Sequence, residues 1–123
     1  MTDFTVSLGR FNKNTTSALD GVMRSSMLYL ASRVTELTPV DTGRARAGWL
    51  PSISAPRDEV TTTTQMEDFG RAFSGIKGGD VGFLSNNVHY IQFLDKGSSD
   101  QNPEGMVAVA MAELVEKLRG GAF

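Results

Sequence analysis

The single histidine, His89, is the natural starting point for chemistry. Ser85 and Asp95 lie near it in sequence, so the residue types of a nucleophilic triad are present. In such a triad a hydroxyl attacks, an imidazole takes its proton and a carboxylate orients the imidazole. No nucleophile elbow or flanking signature accompanies these three residues. A metal centre would need further ligands at suitable spacing around His89, and none appear. His89 therefore reads as a structural or surface residue. Gly75-Ile76-Lys77-Gly78-Gly79-Asp80 lacks the strand–loop–helix context and the Lys-Ser/Thr ending of a phosphate loop, so it reads as a helix end and a turn. Gly43 to Gly48 has the wrong spacing for a dinucleotide fingerprint. The sequence predicts no catalytic residue, no cofactor and no metal, and so no enzyme.

A different chemistry is suggested by Arg44, Arg46 and Trp49. Two arginines two residues apart share one side of a strand, or lie about 200° apart on a helix. They form either an ordinary solvated face or a clamp for a neighbour's carboxylates, because guanidinium groups pair with them through two hydrogen bonds. Trp and Arg are also enriched at interface hot spots, although a lone Trp is more often core. A second polar cluster, Asp95-Lys96-Gly97-Ser98-Ser99-Asp100-Gln101-Asn102, is small and flexible in composition and suited to ordering on a partner. Arg44, Arg46, Trp49, Asp95, Lys96, Ser98, Asp100 and Gln101 are the candidate interface residues.

Several elements must position these clusters. Phe4, Val6 and Leu8 alternate with Thr5 and Ser7, a short strand pattern closed by Gly9. Leu19, Val22, Met23, Met27, Leu30, Val34 and Leu37 recur at helical spacing and predict one long helix. Asn14 to Ser17 offer N-caps, and Pro39 places the stop near Leu37. Asp41-Thr42-Gly43 signals a turn, and the segment after it is a short helix or a strand entry. Residues 50–63, with Pro51, Pro56 and a threonine run, read as a mobile loop or a poorly ordered hairpin. Thr64 and Glu67 have capping-box spacing before Phe69, Ala72, Phe73 and Ile76, a short helix. Val81–Ser85 and His89–Leu94 read as strands joined at Asn86-Asn87. The last helix is expected to begin at Pro103 with Asn102 as N-cap, burying Val107, Met111, Leu114 and Leu118. The expected architecture is α+β. A small antiparallel sheet is packed by a long N-terminal helix, a short middle helix and a C-terminal helix, in one domain over residues 1–123.

Composition limits the function classes. The chain has 123 residues, no cysteine and a net charge of −2. Disulfides and thiolate chemistry are excluded. A mild negative charge argues against a module that grips nucleic-acid phosphates. Phe83, Tyr90 and Phe93 could stack on bases, but Lys and Arg do not cluster around them. No apolar run is long enough for a transmembrane helix, and the N-terminus does not read as a secretory signal.

Two blocks carry a resemblance. Pro39-Val40-Asp41-Thr42-Gly43-Arg44 with Trp49 is similar to the "P-V-D-T-G-R-x-R-x-x-W" segment of the neck or tail-completion proteins of long-tailed phages and prophages (minor tail protein Z and its relatives). Asn86, Asn87, Tyr90, Leu94, Gly97, Ser99, Gln101, Pro103, Gly105, Met106 and Val107 match the run that precedes the last helix in the same family. The chain departs from that family at Asp95, Lys96, Ser98, Asp100 and Asn102, which makes its loop more acidic and less aromatic.

The resemblance implies a structural virion protein at the head–tail junction, made in the bacterial host cytoplasm, where a finished tail joins a DNA-filled head. The implied partners are the tail terminator, the head-closure protein and further copies of the chain in a six-fold ring, without a membrane. A tail terminator of similar size is the nearest alternative. In a ring built by rotation, one subunit's Arg44, Arg46 and Trp49 would meet the neighbour's acidic loop at Asp95 and Asp100. A mild negative charge suits a channel through which DNA slides without specific binding.

Overall fold

The computed structural model describes residues 13–39, 43–91, 95, 105–121 and 123. Among the described residues there are four helices and one two-stranded antiparallel sheet, an α+β fold. In chain order these are α1 (Lys13–Leu37), α2 (Arg44–Ala47), β1 (Trp49–Ile53), α3 (Phe69–Ala72), β2 (Gly82–Asn86) and α4 (Val107–Arg119). The expected strand at residues 4–8 lies outside the described residues.

Helix α1 follows the predicted stripe and stops where Pro39 requires it. Met27 and Val34 are buried, and so are the small residues Ser26, Ala31 and Thr35 beside them. Thr35 returns its hydroxyl to the Ala31 carbonyl at 2.7 Å, which lets a polar side chain sit inside. Thr38 does the same to Val34 at 2.6 Å.

The segment left open between helix and strand is both in succession. Gly43, at φ +81°, starts α2 in a left-handed conformation that favours glycine. One turn later Gly48 passes the chain into β1. The loop expected from residue 50 is thus a strand over residues 50–53. Pro51 misled the reading, because proline lacks the N–H that a central strand must donate. In a two-stranded sheet each strand has an unpaired edge, so proline is tolerated.

Among the described residues of 81–94 the expected hairpin does not form, and residues 92–94 lie outside them. β2 pairs instead with β1, thirty residues upstream, with Trp49 opposite Asn86 and Ile53 opposite Gly82. After Asn86 the chain turns. Val88 is buried, His89 and Tyr90 lie in a turn, and the Ile91 N–H donates to the Val88 carbonyl. The Asn86 side chain enforces this turn. Its Oδ1 accepts the Val88 N–H at 3.2 Å and its Nδ2 donates to the Ala45 carbonyl at 2.9 Å.

Residues 54–63 carry no helix or strand but are pinned by side chains. The Asn87 amide donates to the carbonyls of Arg57 and Glu59 at 3.0 and 3.1 Å. Arg57 pairs with Glu59 at 2.9 Å and with Glu67 at 2.8 Å. These carboxylates raise the Arg57 guanidinium above its ordinary value, Glu59 contributing most, and Arg57 in turn lowers Glu59. The short helix α3 is capped by Asp68, whose carboxylate accepts the Arg71 N–H at 3.0 Å, and not by Thr64 as the capping-box spacing suggested.

Two apolar clusters form the core. Met27, Ala31, Phe73 and Ile76 join α1 to the α3 region. Val34, Trp49, Met106 and Ala110 join α1, β1 and α4. Burying these side chains contributes about 1.5–3 kcal/mol for each large one. Arg33 adds an ion pair to Glu113 on α4 at 2.7 Å, partly exposed and worth at most about 1 kcal/mol.

Candidate functional site

Four of the candidate interface residues are described, and each is engaged within its own chain. The Arg46 guanidinium lies across the end of α1. Its Nε donates to the Thr38 carbonyl at 2.8 Å and its Nη2 to the Glu36 carbonyl at 3.2 Å. The last carbonyls of a helix have no intrahelical partner, and a cation there also meets the negative end of the dipole. Arg46 thus caps the C-terminal end of α1. Arg44 donates from Nε to the Thr61 carbonyl at 2.9 Å, fastening the loop after β1 to the start of α2.

Trp49 is only 5% exposed. Its indole N–H donates to the Thr38 hydroxyl at 2.8 Å, and the Met106 sulfur sits 3.1 Å from the same hydroxyl. It is a core residue in the second cluster and cannot serve as an interface anchor. The sequence offered the signal, since a lone Trp next to a turn more often packs inward.

Asp95 is likewise engaged within the chain. Its carboxylate accepts the backbone N–H of Met106 at 3.2 Å and of Val107 at 3.0 Å. These are orphan donors at the start of α4, so Asp95 caps this helix from eleven and twelve residues upstream. Helix α4 therefore begins at Val107, not at Pro103. Gly105 has φ +89°, which a right-handed helix cannot contain. A Cβ at this position would also run into the Asp95 carbonyl oxygen. The expected cap and first turn at Asn102, Pro103 and Glu104 lie outside the described residues, as do Lys96, Ser98, Asp100 and Gln101.

The stripe predicted to be buried on α4 is offset by one residue. Met106, Ala110 and Leu114 face the core. Val107, Met111 and Leu118 remain 40%, 43% and 44% exposed. They form one wall of an apolar groove of about 970 Å³. The facing wall is α1 from Leu19 to Val34, including Met23 and Leu30. Leu84 and Gly82 of β2 line it as well. Among the described residues the only ionisable one lining it is Asp20, whose carboxylate accepts the Gly78 N–H at 2.8 Å. Sequence periodicity locates the two walls and reads both as core, with part of one stripe available for assembly.

Among the described residues the groove is lined mainly by apolar side chains, with Asp20 and Ser26 as its polar ones. His89 stands in an exposed turn with its ring edge-on to Tyr90 at 5.2 Å. Among the described residues no group of three or more His, Cys, Asp or Glu is placed to hold a metal ion. Among the described residues, no helix is long and apolar enough to cross a membrane. Comparison with protein-family models, with curated proteins and with solved structures gives no match to this chain.

Proposed function

We propose that this chain is a structural subunit of a phage head–tail junction, completing the tail and enabling its joining to the head. The supporting observation is that the two blocks carrying the sequence resemblance meet in space. Trp49 from the first block and Met106 from the second both lie against Thr38, in the cluster that also holds Val34 and Ala110. Arg46 of the first block caps the long helix, and Asp95, a position at which the chain departs from the family, caps the last one.

This placement changes the reading of the contacts in a ring. Arg46, Trp49 and Asp95 act inside the subunit and fix its shape. Lys96, Ser98, Asp100 and Gln101 remain the proposed contacts to a neighbour, the terminator or the head-closure protein. A non-enzymatic, assembling protein suits a site built of apolar surface and caps.

The test is electron microscopy of lysates from a phage or prophage carrying an interruption in this gene. Full heads beside separate tails of normal length are expected. Tails of runaway length would reassign the chain as a tail terminator. Intact infectious particles would refute both roles.

A further inference from the structure

β2 is the outer strand of the sheet. β1 has close backbone neighbours in α1, α2 and α3, whereas the close neighbour of β2 is β1. The register fixes where its main-chain groups point. The Ser54 N–H donates to the Val81 carbonyl at 2.8 Å, one step beyond the Ile53–Gly82 pair. Bonded and non-bonded pairs alternate along an antiparallel ladder. The pairs Ser52–Phe83 and Leu50–Ser85 are therefore bonded, and Gly82, Leu84 and Asn86 turn their N–H and C=O groups away from β1. Among the described residues, no group hydrogen-bonds to them there. Gly82 has no side chain, so its partial exposure is main-chain surface.

The other edge is closed. On β1 the outward residue at the centre is Pro51, which has no N–H, and its carbonyl accepts Arg57 Nη1 at 3.4 Å. Proline and a covering side chain are devices that keep a strand edge from pairing. β2, Gly82-Phe83-Leu84-Ser85-Asn86, has neither. It carries no charge and no proline, and its register runs without a bulge.

We propose that β2 pairs with β2 of a second copy of the chain, antiparallel and centred on Leu84, to make one four-stranded sheet. An edge of free N–H and C=O groups takes an extended backbone whose own groups are free. Among the described residues β1 cannot supply one, because Pro51 blunts it, so the strand that fits is β2 itself. Pairing about Leu84 is self-complementary. Leu84 faces its own copy, and Gly82 faces Asn86 of the second copy, so every outward group of the strand gains a bonded pair. Phe83 then stands opposite Ser85 across the axis, and no like charges meet. The contact uses the same edge on both copies and closes at two. It concerns the free chain in solution and stands apart from the head–tail reading, which a failed pairing leaves untouched.

The unaltered chain provides the first test. Sedimentation measures the dimer, and amide exchange is followed residue by residue from about 10 μM to about 1 mM protein. The amides of Gly82, Leu84 and Asn86 should slow by about ten-fold or more as the dimer fills, while those of Phe83 and Ser85, already bonded to β1, change far less. A dimer that leaves the three amides unchanged would overturn the proposal and place the contact on another face. A monomer across the whole range would overturn it as well. So would full protection of the three amides in the dilute monomer, which would mean that the edge is covered within the chain.

Engineered cysteines read the register, since the chain has none of its own. A Phe83→Cys chain mixed with a Ser85→Cys chain should form the mixed disulfide several-fold faster than either chain links to itself, because residues 83 and 85 stand opposite across the axis. Equal rates in all three samples would refute the pairing about Leu84.

Discussion

Replacing Asp95 separates two roles that its sequence position left open. If its carboxylate caps α4, Asp95→Ala leaves the N–H groups of Met106 and Val107 without their acceptor. Loss of an N-cap acceptor costs about 0.5–2 kcal/mol. Loss of a negative charge beside the positive end of a helix adds about 0.3–1 kcal/mol, reduced here because Asp95 is exposed and salt screens it. The Met106 donor belongs to a fully buried residue, which favours the upper half of the first range. The expected loss is therefore about 1–2 kcal/mol. With a urea m-value of about 2 kcal/mol/M, the midpoint should fall by about 0.5–1 M at unchanged slope. Asp95→Asn keeps an amide oxygen at the same place and loses only the charge, so it should cost about 0.3–1 kcal/mol and vary with salt. Urea unfolding of the isolated chain at low and high salt measures both. A residue that only contacts a partner would leave the isolated chain's stability untouched. An Ala variant with the parent's midpoint would thus refute the cap and restore Asp95 to the interface.

Three further outcomes follow from the same contacts. Gly105→Ala should cost more than Asp95→Ala, above about 2 kcal/mol, since it forces a side chain into φ +89° and against the Asp95 carbonyl; thermal unfolding measures it. Trp49 is the sole tryptophan, so its fluorescence should be blue-shifted and poorly quenched by acrylamide in dilute solution, and Trp49→Phe should cost about 1–3 kcal/mol by removing a buried donor and some volume. On acidification, Glu59 matters because its folded value is depressed by Arg57. Such a group stabilises above its unfolded value, near 4.3, and loses that contribution as pH falls through the lowered folded value. The loop around residues 57–67 should then lose amide protection, relative to the intrinsic exchange rate at each pH, as pH falls through that lowered value while α1 keeps its own, and Glu59→Gln should abolish the part of that change due to Arg57.

Much of this protein is determined by local pattern. The long helix, its end before Pro39, the turn at Gly43 and the α+β composition follow from spacing and from the backbone limits of proline and glycine. Those constraints act over a few residues, so the sequence displays them directly. The partner of β2 is decided by tertiary structure. A local hairpin at Asn86-Asn87 costs less loop entropy than a pairing thirty residues apart, yet β1 wins because its residues Trp49 and Leu50 are carried into the core by the pairing. The offset of the buried face on α4 has a similar origin. Val107, Met111, Leu114 and Leu118 form as good a stripe as Met106, Ala110 and Leu114, and period alone cannot rank them. The cap from Asp95 and the close approach at Gly105 rotate the helix so that Met106 meets Thr38 and Val107 is left at the groove. Likewise, charge type marks Arg46 and Asp95 as able to pair, but only the folded chain brings the free carbonyls and N–H groups of its own helices within reach. The end groups of a helix have no intrahelical partner, and here charged side chains of the same chain satisfy them.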